Sequence, residues 1–235
     1  MILPSFYVFS MKRILFSLFI VFATITFANA QSYKVEKVDG KCVLPGFVSV
    51  GGSDDEIFAN IVLWALQNTE TPGMESFSVL NYKTHHLELK TEQKINNSSY
   101  LAILKVDVVE GRIMFRAENI VWQTILIMSP KQTPFEKLQP EKRPAHQATI
   151  AEFERMESEL IDNMIEFAKT NKLPKISHWQ EIMKNNVVIG MTETECLLSV
   201  GNPRLKLEGD TETQWQISSS MYIFFKKGLV SSVVK

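Results

Sequence analysis

The stretch 100–122, YLAILKVDVVEGRIMFRAENIVW, decides the fold of this 235-residue chain. Its two halves, 100–109 and 112–122, are rich in the β-branched, aromatic and aliphatic residues that favour strands. Glu110-Gly111 stands between them and is a signal for a tight hairpin turn. The stretch therefore predicts two neighbouring antiparallel strands.

The residues before this hairpin predict the remainder of an antiparallel sheet and a helix that covers one of its faces. Segments 77–82 and 84–92 have the length and alternation of strands. Segment 54–68 places Ile61 and Trp64 on one helical stripe. A helix layer on an antiparallel sheet is an α+β arrangement, and α+β is the predicted fold class.

Four helix starts are predicted from capping boxes, in which a Ser or Thr side chain and a Glu or Gln three residues later satisfy each other's backbone N–H groups. The pairs are Ser53 with Glu56, Thr149 with Glu152, Ser177 with Gln180, and Thr192 with Glu195. The second pair begins a long helix over 150–169, and the last two begin short helices. Three or four strands follow as a small meander.

These elements divide the chain into five segments. The predicted boundaries are 1–30 for a signal peptide, 31–128 for an α+β domain, 129–147 for a connector, 148–173 for the long helix and 177–235 for a small domain. The connector holds four prolines among charged residues, which is typical of a solvated segment. We expect the long helix to pack on the first domain and the two domains to have separate cores.

The N-terminus has the pattern of a secretory signal peptide. Two basic residues at 12–13 precede an apolar run over 14–27, and Ala28-Asn29-Ala30 offers small residues where a signal peptidase reads them. We expect cleavage before Gln31 and a soluble product in the periplasm, at the outer membrane or outside the cell, with peripheral membrane association left open. Translation from Met11 and a retained signal anchor are the alternatives.

The charge balance argues against nucleic acid as a partner. The whole chain has 25 Lys and Arg against 26 Asp and Glu, a formal net charge of −1. Residues 1–30 contribute Lys12 and Arg13 and no acid, so the chain without them carries a net charge of −3. Binding to phosphates needs a surplus of basic side chains. The expected partner is another envelope or secreted protein.

Two cysteines, Cys42 and Cys196, follow the predicted cleavage site. In an oxidising compartment they either form a disulfide between the domains or stay as two unpaired thiols. Neither stands in a metal or redox motif, so the sequence leaves both states open.

The C-terminal segment carries turn and cap residues that occur together in a known family. Gly190-Met191-Thr192 opens a helix, Gly201-Asn202-Pro203 ends it, Trp215 lies on a strand, and Gly228-Leu229-Val230 turns into the last strand. These residues resemble the SmpA/OmlA domain, known from the BamE lipoprotein of the outer-membrane assembly machinery, and the layout is also similar to the β-lactamase-inhibitor repeat. The resemblance implies a role in envelope assembly or, through the second likeness, inhibition of a secreted enzyme. The lipobox cysteine of BamE-like members is absent, so their membrane tether is not implied.

The first domain is similar to a domain of unknown function that is common in exported proteins of gut-type Gram-negative bacteria. The similar residues are Asp54-Asp55-Glu56-Ile57, the run 108–115 and Glu118-Asn119-Ile120. The resemblance implies export and a TBP-like α+β fold, but no mechanism and no DNA binding.

No catalytic, cofactor-binding or metal-binding residues are predicted, and no cofactor is expected. His86 and Glu88 lie on one face of a strand, so their imidazole and carboxylate could be two members of a metal or acid–base site. His85 points to the other face of the strand. Gly51-Gly52 is expected to form a turn before the first helix. Core packing is expected for the tryptophans, with Trp215 the best candidate for partial exposure.

The preferred hypothesis is therefore an exported, non-enzymatic protein that acts as an interaction or envelope-assembly module. The alternative is an exported small-ligand binder or hydrolase whose site lies between the domains and uses residues such as His86 and Glu88. A concave pocket in which His86, Glu88 and another polar residue converge would favour the alternative, whereas separate, loosely joined domains with one flat exposed apolar patch would favour the module.

Overall fold

A computed structural model describes residues 33–69, 71–125 and 130–235 of the chain. The predicted signal peptide, 1–30, lies outside the described residues. Within these ranges, none of the helices combines the length and the apolar character needed to cross a membrane.

The first part of the structure is one antiparallel sheet of seven strands. The strands are β1 (Glu36–Val38), β2 (Lys41–Ser49), β3 (Phe77–Asn81), β4 (His86–Ile95), β5 (Ser98–Val109), β6 (Arg112–Ile125) and β7 (Pro130–Pro134). Their order is β1-β2-β6-β5-β4-β3, with β7 paired to the far end of β6. The predicted hairpin at 110–111 joins β5 and β6, and both turn residues have positive φ, 53° at Glu110 and 69° at Gly111.

Helix α1 (Asp54–Gln67) lies under the sheet and is buried almost all round. Every residue from Ile57 to Leu66 is buried, including Asn60, whose amide donates to the carbonyl oxygen of Asn171 at 3.1 Å. A helix that is apolar on all sides needs cover on all sides. The sheet covers one side of α1, and helix α2 (Pro144–Thr170) covers another.

The segment 129–147 differs from the solvated connector predicted for it. Strand β7 pairs with β6, a turn of 3-10 helix follows at Phe135–Lys137, and α2 begins at Pro144. Prolines are tolerated on edge strands and favoured at the first position of a helix, which explains how three of the four fit regular structure. Phe135 is buried against Phe153 of α2, with ring centroids 5.2 Å apart.

The C-terminal part has two short helices and a four-stranded antiparallel sheet. The helices are α3 (Trp179–Ile182) and α4 (Glu193–Val200), and the strands are β8 (Leu205–Glu208), β9 (Thr213–Gln216), β10 (Tyr222–Lys226) and β11 (Leu229–Val234). The strand order is β11-β10-β9-β8. The α+β fold class is thus confirmed.

One of the four predicted capping boxes is confirmed. Thr192 and Glu195 satisfy each other's backbone N–H groups at the start of α4. Ser53 is the N-cap of α1 but makes no side-chain cap hydrogen bond. Thr149 was wrongly predicted as a cap, since it lies inside α2 and donates to the carbonyl oxygen of Ala145.

The fourth capping residue is displaced by one position. The N-cap of α3 is His178 and not Ser177. The reason is that the backbone N–H groups of both residues donate to the carboxylate of Glu195, at 2.6 Å from Ser177 and 3.0 Å from His178.

The buried residues of both parts belong to one hydrophobic core rather than to two separate cores. The described residues from 33 to 235 belong to a single compact unit. The amide of Asn202 donates to the carbonyl oxygen of Leu66 at the end of α1, 2.7 Å away. Gly201, at φ 78°, packs so closely that an added Cβ would lie 2.0 Å from the carbonyl oxygen of Gly73. Only glycine fits at this contact.

Candidate functional site

A cleft of about 110 Å³ lies where α1, the turn between β3 and β4, and α3 meet. The lining residues are Asp55 and Phe58 of α1, Tyr82 and His85 of the turn, and Trp179 of α3 with Met183 directly after that helix. The cleft therefore lies at the seam between the seven-stranded sheet and the C-terminal part, as the ligand-binding alternative requires.

The polar end of the cleft is an imidazole–carboxylate pair. The Nε2 atom of His85 lies 2.7 Å from Oδ1 of Asp55 in the first turn of α1. His85 is the last residue of the turn and has a left-handed backbone, φ 48°, which directs its ring to the helix side of the sheet. Asp55 remains more than half exposed, with 58% of its side-chain surface accessible, so it can accept a further donor.

The walls of the cleft are aromatic. The ring centroids of Phe58 and Tyr82 are 5.6 Å apart with their planes at 90°, and those of Tyr82 and Trp179 are 6.5 Å apart. The Tyr82 hydroxyl donates to the carbonyl oxygen of Leu198 at 2.5 Å. Burial raises the pKa of the Tyr82 hydroxyl well above its ordinary value, so this group stays a neutral donor.

The structure places His86 and Glu88 together but away from this cleft. The predicted shared strand face is confirmed, with His86 Nε2 at 3.7 Å from Glu88 Oε1. The other ring nitrogen of His86, Nδ1, lies 2.7 Å from Oδ1 of Asp107 on β5. These contacts lie on the sheet face opposite to α1, so the histidine that lines the seam is His85 and not His86.

A network of charges occupies the same outer face of the sheet. Lys105 lies between Glu88, 3.1 Å away, and Glu118, 2.5 Å away, and Arg116 is 3.5 Å from Glu118. The hydrogen bond to Glu118 is the main cause that raises the pKa of Lys105, and the bond to Glu88 adds to it. In the described ranges, no group of three or more His, Cys, Asp or Glu residues could hold a metal ion.

A second carboxylate centre lies behind the cleft. Glu195 is buried, and its Oε1 accepts from Ser177 N, His178 N and His178 Nδ1, while its Oε2 accepts from Thr192 N. Burial by itself raises the pKa of Glu195, but the N–H donors of Thr192 and Ser177, together with His178, hold the pKa below its ordinary value. Glu195 thus fixes the segment that carries Trp179.

The segment before α1 bends at Gly52, and the first residue of the helix, Asp54, binds the β5–β6 hairpin. The carboxylate of Asp54 accepts from the backbone N–H of Glu110 at 3.0 Å and of Gly111 at 2.7 Å. The backbone N–H of Gly51 also donates to the carbonyl oxygen of Gly111. The first turn of α1 is thereby joined to the β5–β6 hairpin, which positions Asp55 beside the cleft.

The remaining residues singled out by the sequence have structural surroundings. Trp215 is 2% exposed, so the expected core packing is confirmed for it, and the half-buried tryptophans are Trp122 and Trp179. Its ring packs on Phe225 with centroids 4.8 Å apart. Cys42 is half-buried, Cys196 is buried, and both are free thiols.

Comparison with known proteins gives two similarities of fold. No family model and no curated protein matches the chain. The crystal structure of a TBP-like protein from Parabacteroides distasonis ATCC 8503 is 16% identical, with a TM-score of 0.47, covering 59% of this chain and 99% of that one. The structure of a DUF4468 family protein from Bacteroides ovatus ATCC 8483 is 14% identical, with a TM-score of 0.44, covering 64% of this chain and 100% of that one.

The resemblance of 177–235 to the SmpA/OmlA domain stays a prediction.

Proposed function

We propose that this chain is an exported, non-enzymatic protein that binds another envelope or secreted protein through the solvent side of its four-stranded sheet. The observation that carries this proposal is a set of apolar side chains that share that side. We call them the apolar sheet face, and they are Leu205, Leu207, Tyr222, Phe224 and Val234.

The strand register places these residues on one side. Leu205 and Leu207 of β8 pair with Gln216 and Gln214, which pair in turn with Tyr222 and Phe224. Tyr222 pairs with Val234 of β11. Directly opposed residues of antiparallel strands have their side chains on the same face.

Three members of the apolar sheet face are among the most exposed apolar residues that the structure describes. The exposed fractions are 47% for Leu205, 51% for Leu207 and 51% for Val234, and Tyr222 and Phe224 are half-buried. Burial of apolar surface against a partner is favourable by roughly 25 cal/mol per Å². On this face Gln214 and Gln216 of β9 lie between the leucines of β8 and the aromatic residues of β10, so apolar and polar strands alternate. Exposed apolar groups bordered by polar side chains are typical of protein interaction sites.

Two further observations support the proposal. His86 and Glu88, the acid–base pair that the hydrolase alternative uses, are bound to Asp107 and Lys105 on an open sheet face rather than in a pocket. The sequence pattern of 1–30 supports export and hence a partner beyond the inner membrane.

The partner surface can be tested by site-specific crosslinking in the intact cell envelope. A photoreactive residue in place of Leu207 should give one dominant crosslinked product, and the same residue in place of Lys90, which is exposed on β4, should not. In the protein with the photoreactive residue at position 207, the additional substitution Leu205→Gln should remove the crosslinked product. Identical products from both positions, or none from either, would contradict the proposal.

Export is tested separately by the N-terminal sequence of the protein from that material. The sequence should begin at Gln31. A protein that begins at Met1 or Met11 would refute this part of the proposal and leave the sheet face to be judged on the crosslinks alone.

A further inference from the structure

The aromatic cleft has a chemical character that is independent of the apolar sheet face, since the two share no residue. Its side chains are three aromatic rings, one thioether, one imidazole and one carboxylate, and it contains no Lys or Arg. Its single carboxylate belongs to Asp55, whose Oδ1 lies 2.7 Å from the imidazole of His85.

The rings can attract positive charge. The faces of aromatic rings are electron-rich, and a cation within about 6 Å of a ring centroid is stabilised by them. Phe58, Tyr82 and Trp179 form a continuous series, with neighbouring centroids 5.6 and 6.5 Å apart and planes inclined at 90° and 59°. Phe58 and Tyr82 are buried, with 1% and 9% of their surface exposed, and Trp179 is half-buried, so a cation in the cleft would contact the aromatic series mainly through Trp179.

The carboxylate of Asp55 lies at the same end of the cleft as the aromatic rings. Phe58 and Asp55 belong to successive turns of α1, and the ring of Phe58 contacts the imidazole of His85 at a centroid distance of 5.6 Å. Asp55 Oδ1 is bound to His85, and the exposed remainder of the carboxylate can accept an N–H donor or balance a charge.

An anion would be disfavoured here despite the helix N-terminus. The first turn of α1 carries three acids, Asp54, Asp55 and Glu56. Only Asp54 has its charge compensated by backbone donors, those of Glu110 and Gly111. The other two repel negative charge from the cleft mouth.

The volume limits the size of the ligand group. About 110 Å³ equals the share of three to four liquid water molecules at roughly 30 Å³ each. This is room for a primary ammonium on a short alkyl stem or for a methylated ammonium, and it is too small for a nucleotide or a sugar. The group can belong to a free amine or to the end of a longer molecule that extends past Met183, which is 39% exposed.

We infer that the cleft between α1, the β3–β4 turn and α3 is a binding site for a small organic cation, with Asp55 as the counter-charge and Phe58, Tyr82 and Trp179 as the aromatic walls.

The test is a titration of the full mature chain followed by two-dimensional ¹H–¹⁵N NMR. Tetramethylammonium and n-propylammonium are the cationic probes, tert-butanol is the neutral probe of the same size as tetramethylammonium, and propionate is the anionic probe. The chain has four tryptophans, and the indole N–H of Trp179 should shift and saturate at low-millimolar concentrations of the cations. The neutral probe should bind at least tenfold more weakly, and propionate should not bind.

Matched variants then test the carboxylate. Asp55→Asn should weaken cation binding at least tenfold, whereas Glu56→Gln, its exposed neighbour in the same turn, should leave binding unchanged. Met183→Lys places a competing ammonium at the mouth of the cleft and should abolish binding without loss of the fold, because residue 183 is exposed.

Several results would overturn the inference. Equal binding of tert-butanol and tetramethylammonium would show an apolar pocket without selectivity for charge. Stronger binding of propionate, equal effects of the Asp55 and Glu56 variants, or the absence of a saturable shift up to about 100 mM would each do the same. None of these results would bear on crosslinking through the apolar sheet face.

Discussion

The hydroxyl of Tyr82 donates to the carbonyl oxygen of Leu198, and this bond joins the seven-stranded sheet to helix α4. Leu198 is in the last turn of α4, where carbonyl groups have no partner within the helix. Tyr82 therefore completes the C-terminal end of a helix that is 116 positions away in the chain. The same ring forms a wall of the aromatic cleft, so the cleft and the seam depend on one side chain.

Tyr82→Phe is expected to lower the free energy of unfolding by about 1–3 kcal/mol, because it leaves a buried carbonyl oxygen unsatisfied while the ring still fills its space. Urea denaturation followed by circular dichroism measures the effect. Tyr222→Phe is the control, since that hydroxyl is half-buried and only accepts from Gln216 at 3.3 Å. Equal losses in the two variants would show that the bond to Leu198 has no special role.

Glu195→Gln is expected to destabilise the protein by about 2–4 kcal/mol at pH 7, because the amide must turn its NH₂ group toward one of two sets of N–H donors. The control is Glu193→Gln in the same turn, whose carboxylate makes one contact of 3.4 Å to Lys206. A thermal denaturation series gives both values. A Glu195 variant as stable as the Glu193 variant would contradict the assignment.

The stabilisation from Glu195 should also depend on pH. Its pKa in the folded state is below the ordinary value of 4.5, so the unfolded chain takes up a proton first as the pH falls. The stabilisation is complete above about pH 4.5 and is lost as the pH falls through the folded pKa. The difference in stability between the wild-type chain and Glu195→Gln should therefore shrink when the pH is lowered from 6 to 3.

Glu157 should have the opposite pH dependence. Its carboxyl group is fully buried in α2, and only Thr91 donates to it, at a long 3.5 Å. Burial raises the pKa of Glu157 to about 7, so the folded protein binds the extra proton between about pH 4.5 and 7. The protonated carboxyl group of Glu157 makes its full contribution to the free energy of unfolding below pH 4.5. That contribution is lost as the pH rises through 7.

Glu157→Gln is accordingly expected to stabilise the protein by about 1–3 kcal/mol at pH 8 and to change stability little at pH 5. Chemical denaturation at both pH values tests this expectation, with the exposed Glu166→Gln of the same helix as the control. Equal effects of the Glu157 variant at the two pH values would show that its carboxyl group does not titrate in this range.

The two thiols should react at very different rates. Burial raises the pKa of Cys196 to about 12, and burial together with Glu136 raises the pKa of Cys42. Since the thiolate is the reactive form, the folded protein should react slowly with a thiol reagent, and only at Cys42, which is half-buried. Mass spectrometry after labelling should show one modified cysteine before denaturation and two after it. A single disulfide-linked species without reaction would contradict this expectation.

Local signals account for the parts of the fold that the sequence predicted. The Glu110-Gly111 turn and the Thr192–Glu195 capping box each depend on residues within three positions of one another, so their geometry is visible in the chain. The start of α2 at Pro144 lies inside the predicted connector, because prolines among charged residues predict a solvated segment although proline also suits the first position of a helix. Strand β7 was missed for the same reason, since prolines at 130 and 134 are compatible only with an edge strand.

The cleft could not be predicted in this way. Asp55, His85 and Trp179 come from three segments that are distant in the chain, and no spacing links them. The sequence favours His86 as a site residue because His86 and Glu88 share a strand face, and the structure confirms that shared face. Which of the two adjacent histidines lines the cleft depends on the backbone geometry of the turn at residue 85, which the sequence does not show. A single sequence shows which face a side chain occupies and not which distant helix covers that face.

Helix α1 has a consequence for how the protein folds and evolves. Because α1 is apolar on all sides and both parts of the chain pack against it, neither part has a complete interior without the other. Without the C-terminal residues, one side of α1 would be exposed to water. The C-terminal residues expressed alone would likewise expose their own apolar surface to water. We therefore expect unfolding to be a single cooperative transition and the small sheet not to fold when it is separated from α1.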